Sequence, residues 1–139
     1  MSEIDPSTIK AYRETNYYIA APAPFVLRVG VTSEALARIC AQHRTDCCAF
    51  VTASNPYSRL VDDQENADRQ AGLARELERR GLTFFHGTGR HPSGSWPAES
   101  SYLVLGLSLA DAKMLGEAYQ QNAILWCGPD AVPELILLR

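Results

Sequence analysis

Residues 101–107, Ser-Tyr-Leu-Val-Leu-Gly-Leu, constrain this chain more than any other stretch. The run is almost wholly apolar and too short for a buried helix, so it reads as an interior strand. Ser108 follows at once as a helix cap, with Asp111 at the capping-box position where Glu or Gln is more usual. A strand that passes directly into a helix points to helices packed on a sheet.

The flanking sequence extends that pattern. Residues 17–20 and 25–30 are strand-like on either side of a Pro22/Pro24 corner, an expected antiparallel pair. Thr32 or Ser33 caps a helix to about His43, with Leu36, Ile39 and Cys40 at helical spacing. Residues 47–53 (Cys-Cys-Ala-Phe-Val-Thr-Ala) read as a buried strand and 54–64 as a polar loop. A longer helix is expected over 64–80, with Ala67, Ala71, Ala74 and Leu77 as its apolar stripe and Gly81 as its stop. Residues 82–87 read as a strand and 89–98 as a Gly/Pro/Ser-rich loop. The helix after Ser108 runs to about Gln120. Residues 123–127 and 134–138 are closing strands around the turn Gly128-Pro129-Asp130.

The order is ββα, then βαββαβ, then β. This predicts an α+β fold: a mixed β-sheet with three main helices and a ferredoxin-like middle. A three-layer α/β sandwich, with helices on both faces, is the alternative. The 139 residues suit a single domain spanning 1–139, with 1–11 expected to be flexible or at most a helical turn.

Charge and cysteine content narrow the function classes. A formal charge of −3 speaks against generic nucleic-acid binding, which calls for a basic face. There is no N-terminal apolar segment of signal type and no run of 18 apolar residues, so no membrane partner is expected. Cys40, Cys47, Cys48 and Cys127 form no C-x-x-C pair and suit reduced, buried thiols, which places the expected compartment in the cytoplasm.

One segment carries most of the chemistry: Thr52-Ala-Ser-Asn-Pro-Tyr-Ser-Arg59, followed by Glu65-Asn66 and Arg69. It leaves the end of a buried strand and enters a helix, a place where ligands collect in α/β arrangements. Arg59 and Arg69 suit charge-assisted contact with a small anion, and Asn55, Ser58 and Asn66 suit its orientation. The same residues also serve plain structural ends, since Asn-Pro makes turns and Asn66 can brace a helix start. Trp96 offers a stacking platform or a packing side chain. Glu99 offers either a brace for an arginine or a general base, and Gln121 and Asn122 offer amides to a ligand or to turn carbonyls.

The segments Thr-Ala-Ser-Asn-Pro (52–56), Glu-Asn-Ala-Asp-Arg (65–69), Trp-Pro-Ala-Glu-Ser (96–100), Leu-Gly-Leu-Ser (105–108) and Gln-Asn-Ala-Ile (121–124) resemble, in order and spacing, a family of small bacterial proteins classed as a domain of unknown function. The resemblance runs from about residue 12 to the C-terminus. That family usually has an aromatic residue where Ser54 stands. The resemblance implies a shared polar cluster and names no reaction.

Sharper chemistries find little support. His86, at a strand end, is the best candidate base among His43, His86 and His91, and no G-x-S-x-G elbow is present. His43, Cys47 and Cys48 lack convergent zinc spacing, and the Gly-rich stretch 87–95 lacks the Gly-Lys-Ser/Thr ending of a phosphate loop. No metal and no cofactor is therefore expected. Two classes remain. One is a module for a small polar or anionic ligand, such as a nucleotide or phosphorylated metabolite, with catalysis by Glu99 or His86 left open. The other is a protein-interaction or regulatory module whose polar cluster is purely structural. A homo-oligomer is compatible with both.

Overall fold

The computed structural model describes residues 3–139. The elements are α1 (Pro6–Glu14), β1 (Asn16–Ile19), β2 (Phe25–Leu27), α2 (Glu34–Gln42), β3 (Cys48–Val51), a 3₁₀ turn (Pro56–Ser58), α3 (Asp63–Arg79), β4 (Phe84–Arg90), β5 (Glu99–Leu105), α4 (Leu109–Ala118), β6 (Ala123–Cys127) and β7 (Glu134–Leu137). The strands form one sheet in the order β2-β1-β4-β5-β3-β6-β7.

Its centre, β4-β5-β3-β6, is the ferredoxin-like unit expected from the sequence. The crossover β3-α3-β4 skips over β5, and β5-α4-β6 skips over β3. The two strands of each βαβ pair are thus always separated by a strand of opposite direction. For that reason every neighbouring pair is antiparallel, and the expected mixed sheet is corrected to a wholly antiparallel one. β1 and β2 extend the unit beyond β4, and β7 extends it beyond β6.

Two cores sandwich this sheet. On one face Leu36, Ile39 and Cys40 of α2 pack with Cys48, Phe50, Leu103, Leu105 and Leu125. On the other, Leu73 and Leu77 of α3 and Ala112 and Leu115 of α4 pack with Ala49, Val51, Tyr102, Val104 and Ile124. The strands β3 and β5 are apolar at successive positions because both of their faces are covered. The architecture is α+β, with a ferredoxin-like middle and helices on both faces of the sheet.

Caps match the sequence closely. The hydroxyls of Ser33 and Ser108 accept from the backbone N–H of Leu36 and Asp111, each at 3.1 Å. Gly81 takes a positive φ of 71° at the stop of α3. The stripe of α3 differs from expectation: its buried residues are Gln70, Leu73 and Leu77, while Ala67 and Ala71 are exposed. The leucines bury more apolar area than alanines, and Gln70 turns inward to bond the end of β3.

The N-terminal segment also departs from expectation. Asp5 accepts from Ser7 N–H at 2.9 Å, Pro6 opens the first turn, and α1 follows, longer than the single helical turn allowed for within 1–11; residues 1 and 2 of that segment lie outside the described residues. No residue of α1 is buried, although Ile4 just before it is.

Gly87 on β4 is fixed by contact rather than by backbone angle. A Cβ there would lie 2.6 Å from the Phe50 ring and 3.0 Å from the Tyr18 carbonyl oxygen. Gly87→Ala is expected to destabilise the protein by about 1–3 kcal/mol through overpacking, read as a lowered urea midpoint with unchanged slope.

Candidate functional site

The helix α1 crosses the same sheet face as α2 without closing down on it. Between α1 and the sheet lies a cleft of about 460 Å³, within the range of small-molecule sites. Ser7, Thr8, Ala11, Tyr12 and Thr15 form its roof, the inner stripe of α1 at helical spacing. Tyr17, Phe50, Leu125 and Leu135 give an apolar floor. Tyr17 and Phe50 meet edge to face with centroids 5.1 Å apart. Thr52, Asn55, Ser58, Trp96, Glu99, Ser101 and Gln121 make its polar end.

That end is built from the loop after β3. Asn55, Tyr57 and Ser58 have positive φ values of 48°, 54° and 58°. Such a cluster of non-glycine residues is costly and persists only where surrounding bonds impose it. Those bonds are present. Arg69 Nε donates to the Ala53 carbonyl at 2.5 Å, and Gln70 Oε1 accepts from Ala53 N–H at 2.6 Å. Gln121 Nε2 donates to the Ser54 carbonyl at 3.1 Å. Asn55 and Asn66 clasp each other: Asn55 N–H donates to Asn66 Oδ1 and Asn66 Nδ2 donates to Asn55 Oδ1, both at 2.9 Å.

The clasp leaves Asn55 Nδ2 free to donate to Glu99 Oε2 at 2.8 Å, and Trp96 Nε1 donates to the same oxygen at 3.2 Å. Among the described residues Glu99 Oε1 has no hydrogen-bond partner, and no Lys, Arg or His nitrogen pairs with this carboxylate. Burial pushes the Glu99 carboxyl above the usual glutamate range, and the Asn55 and Trp96 bonds only partly offset this. Beside it, Asn122 Nδ2 donates to the Ser58 and Tyr12 hydroxyls at 3.1 and 3.2 Å, and those two hydroxyls also bond to each other.

Several residues nominated from the sequence thus meet: Asn55, Ser58, Trp96 and Glu99 line the cleft. Asn66 and Asn122 stand behind them as braces. The others are corrected. Arg59 is exposed and lies outside the cleft. Arg69 faces backbone, donating also to the Tyr119 carbonyl at 2.6 Å, so it ties the loop to the end of α4 rather than gripping an anion. His86 is exposed on the opposite sheet face, beside Tyr102, because it sits one residue out of register with the cleft-facing Gly87 and Gly89. Glu99 braces no arginine. The thiols are free; a hydrogen bond with Cys48, then burial, pushes Cys40 up, and a hydrogen bond with Cys127, then burial, pushes Cys48 up against the lowering effect of Cys40, which makes both poor nucleophiles.

Sequence reasoning assigned no role to Thr52 within its segment and missed Tyr12, Ser101 and the rest of the α1 roof. Asp5-Pro6-Ser7 was the available signal, a cap followed by a first-turn proline. Among the described residues no group of three His, Cys, Asp or Glu is arranged to hold a metal ion, and no helix is long and apolar enough to cross a membrane.

A family model described as a protein of unknown function, DUF3293, matches residues 51–124, just over half of the chain. The chain belongs to the DUF3293 family. No curated protein and no solved structure matches it. The DUF3293 span holds the β3 loop, Trp96, Glu99, Gln121 and Asn122, while the α1 roof lies outside it.

Two outcomes follow from this geometry. Arg69→Ala is expected to cost roughly 2–3 kcal/mol, because charge-assisted bonds to Ala53 and Tyr119 are lost together; chemical denaturation reads it. Glu99 has a raised pKa in the folded chain and an ordinary one when unfolded. Its contribution to stability is therefore full below the ordinary glutamate value and lost as pH rises through the raised one. Glu99→Gln is expected to melt higher than wild type at pH 8, on the order of a few degrees, and to show no advantage at pH 4.

Proposed function

We propose that the cleft under α1 binds a small organic molecule, with an apolar part on the Phe50–Leu125–Leu135 floor and a polar head at Glu99. The observation that carries this reading is Glu99 itself. It is a half-buried carboxylate whose Oε2 is held by two neutral donors while Oε1 takes no hydrogen bond among the described residues. Buried charges without partners are costly and cluster at functional sites. The strained loop 55–58 that aims Asn55 at it is a second cost of the same kind.

The anionic half of the expected ligand class loses its carriers. Arg59 and Arg69 stand away from the cleft, and among the described residues no lysine or arginine lines it. The interaction-module reading is weakened as well: Tyr17 is buried and Tyr12 is bonded inward, so neither adds to an exposed aromatic patch beside Tyr18.

A ligand-observed NMR screen of a fragment mixture holding amines, alcohols and carboxylates tests the reading, with Ala11→Trp run beside the wild type. Ala11 sits in the roof, so the indole fills the cleft without entering either core. Binders seen with wild type and lost at least about tenfold with Ala11→Trp are the expected result, a change of about 1.4 kcal/mol. Binders indifferent to Ala11→Trp, or none, would remove the cleft as the site.

A further inference from the structure

We propose that the cleft selects a ligand carrying a cationic nitrogen, a primary ammonium or amidinium group on an apolar, ring-bearing body. This rests on the reading of the cleft as a ligand site and adds the charge of the head group. Three features of the lining point the same way.

The first is the balance of charge. The ionisable acids and bases lining the cleft, apart from tyrosines, are Glu14, Glu99 and His91. Glu14 already meets His91, Nε2 to Oε1 at 3.1 Å. Glu99 is left as the acid with no cation beside it.

The second is the hydrogen-bond geometry of that acid. Its neighbours, Asn55 and Trp96, are neutral donors, and both bond Oε2. They orient the carboxylate and leave Oε1 to accept from an incoming N–H. A buried carboxylate is stabilised most by a cation at hydrogen-bond distance, so the ligand supplies the partner that the protein omits. A carboxylate or phosphate head in the same place would face like charge, since the one basic side chain among the described lining residues, His91, is already engaged by Glu14.

The third is the company of aromatic rings. Trp96, Tyr12, Tyr17 and Phe50 line the same space. Ring faces attract cations, and their area suits an apolar body of comparable size.

Three near-isosteric probes test the assignment: 2-phenylethylammonium, 2-phenylethanol and 3-phenylpropionate. Their affinities are measured by NMR titration against wild type, Glu99→Gln and Ala11→Trp. Tryptophan fluorescence gives a second readout in a Trp126→Phe background, where Trp96 is the remaining indole. The ammonium compound is expected to bind wild type at least about tenfold tighter than the alcohol, the scale of one charge-assisted hydrogen bond, and the carboxylate weakest. Glu99→Gln should bring the ammonium compound down to the level of the alcohol while leaving the alcohol nearly unchanged. Equal binding of the three, a preference that survives Glu99→Gln, or tightest binding by 3-phenylpropionate would each overturn the cation assignment. If Ala11→Trp still abolishes binding of the alcohol or the acid, the cleft reading stands without it. Silence of all three probes in a protein whose cleft binds other fragments also overturns the assignment alone, and silence together with an empty fragment screen overturns both.

Discussion

The backbone of residues 53–55, as it leaves β3, is gripped by side chains from one helix and from the turn after another. Arg69 and Gln70 of α3 take the carbonyl and the amide of Ala53, Asn66 takes the amide of Asn55, and Gln121, just past α4, takes the carbonyl of Ser54. A chain emerging from a central strand has no ladder left to satisfy its polar groups, and unsatisfied groups at this depth are costly. The gripping side chains resolve that cost and fix the direction of the loop in the same stroke. The positive φ values of Asn55, Tyr57 and Ser58 are tolerable because of it. Asn55 reaches Glu99 because its own backbone is held first. The site is thus a by-product of solving a backbone problem at the end of one strand.

This arrangement explains which parts of the molecule were legible in the sequence. The strands 101–107 and 47–53 declared themselves because a centre strand covered on both faces must be apolar at nearly every position. Ser33, Ser108 and Gly81 declared helix ends because their chemistry is local. The ferredoxin-like order followed from the alternation of these elements. Strand direction did not, since the pattern βαββαβ leaves open which strand slides between which, and only packing decides it.

The site was legible as a grouping and not as a set of roles. Asn55, Ser58, Trp96 and Glu99 fall together as their motifs suggested. Arg69 misled because an arginine beside a strand end suits an anion and a pair of backbone carbonyls equally well, and short-range sequence cannot tell which acceptor is near. His86 misled through parity: on a strand, one residue decides between the cleft and the far face. The roof was invisible because the inner face of α1 carries Ser, Thr and Ala rather than the apolar stripe by which surface helices are recognised.

That weak inner face carries a meaning for how such a protein changes over generations. The floor and the loop 53–55 are locked into the sheet and the helix grips, so substitutions of their packed residues disturb the fold. The helix α1 buries no side chain of its own and lies outside the span that the family model matches. Its residues form one wall of the cleft while contributing little to either core. The wall of the cleft most open to revision is therefore the one whose revision costs the fold least, and the shape of the cavity can be rewritten at a few positions between Ser7 and Thr15.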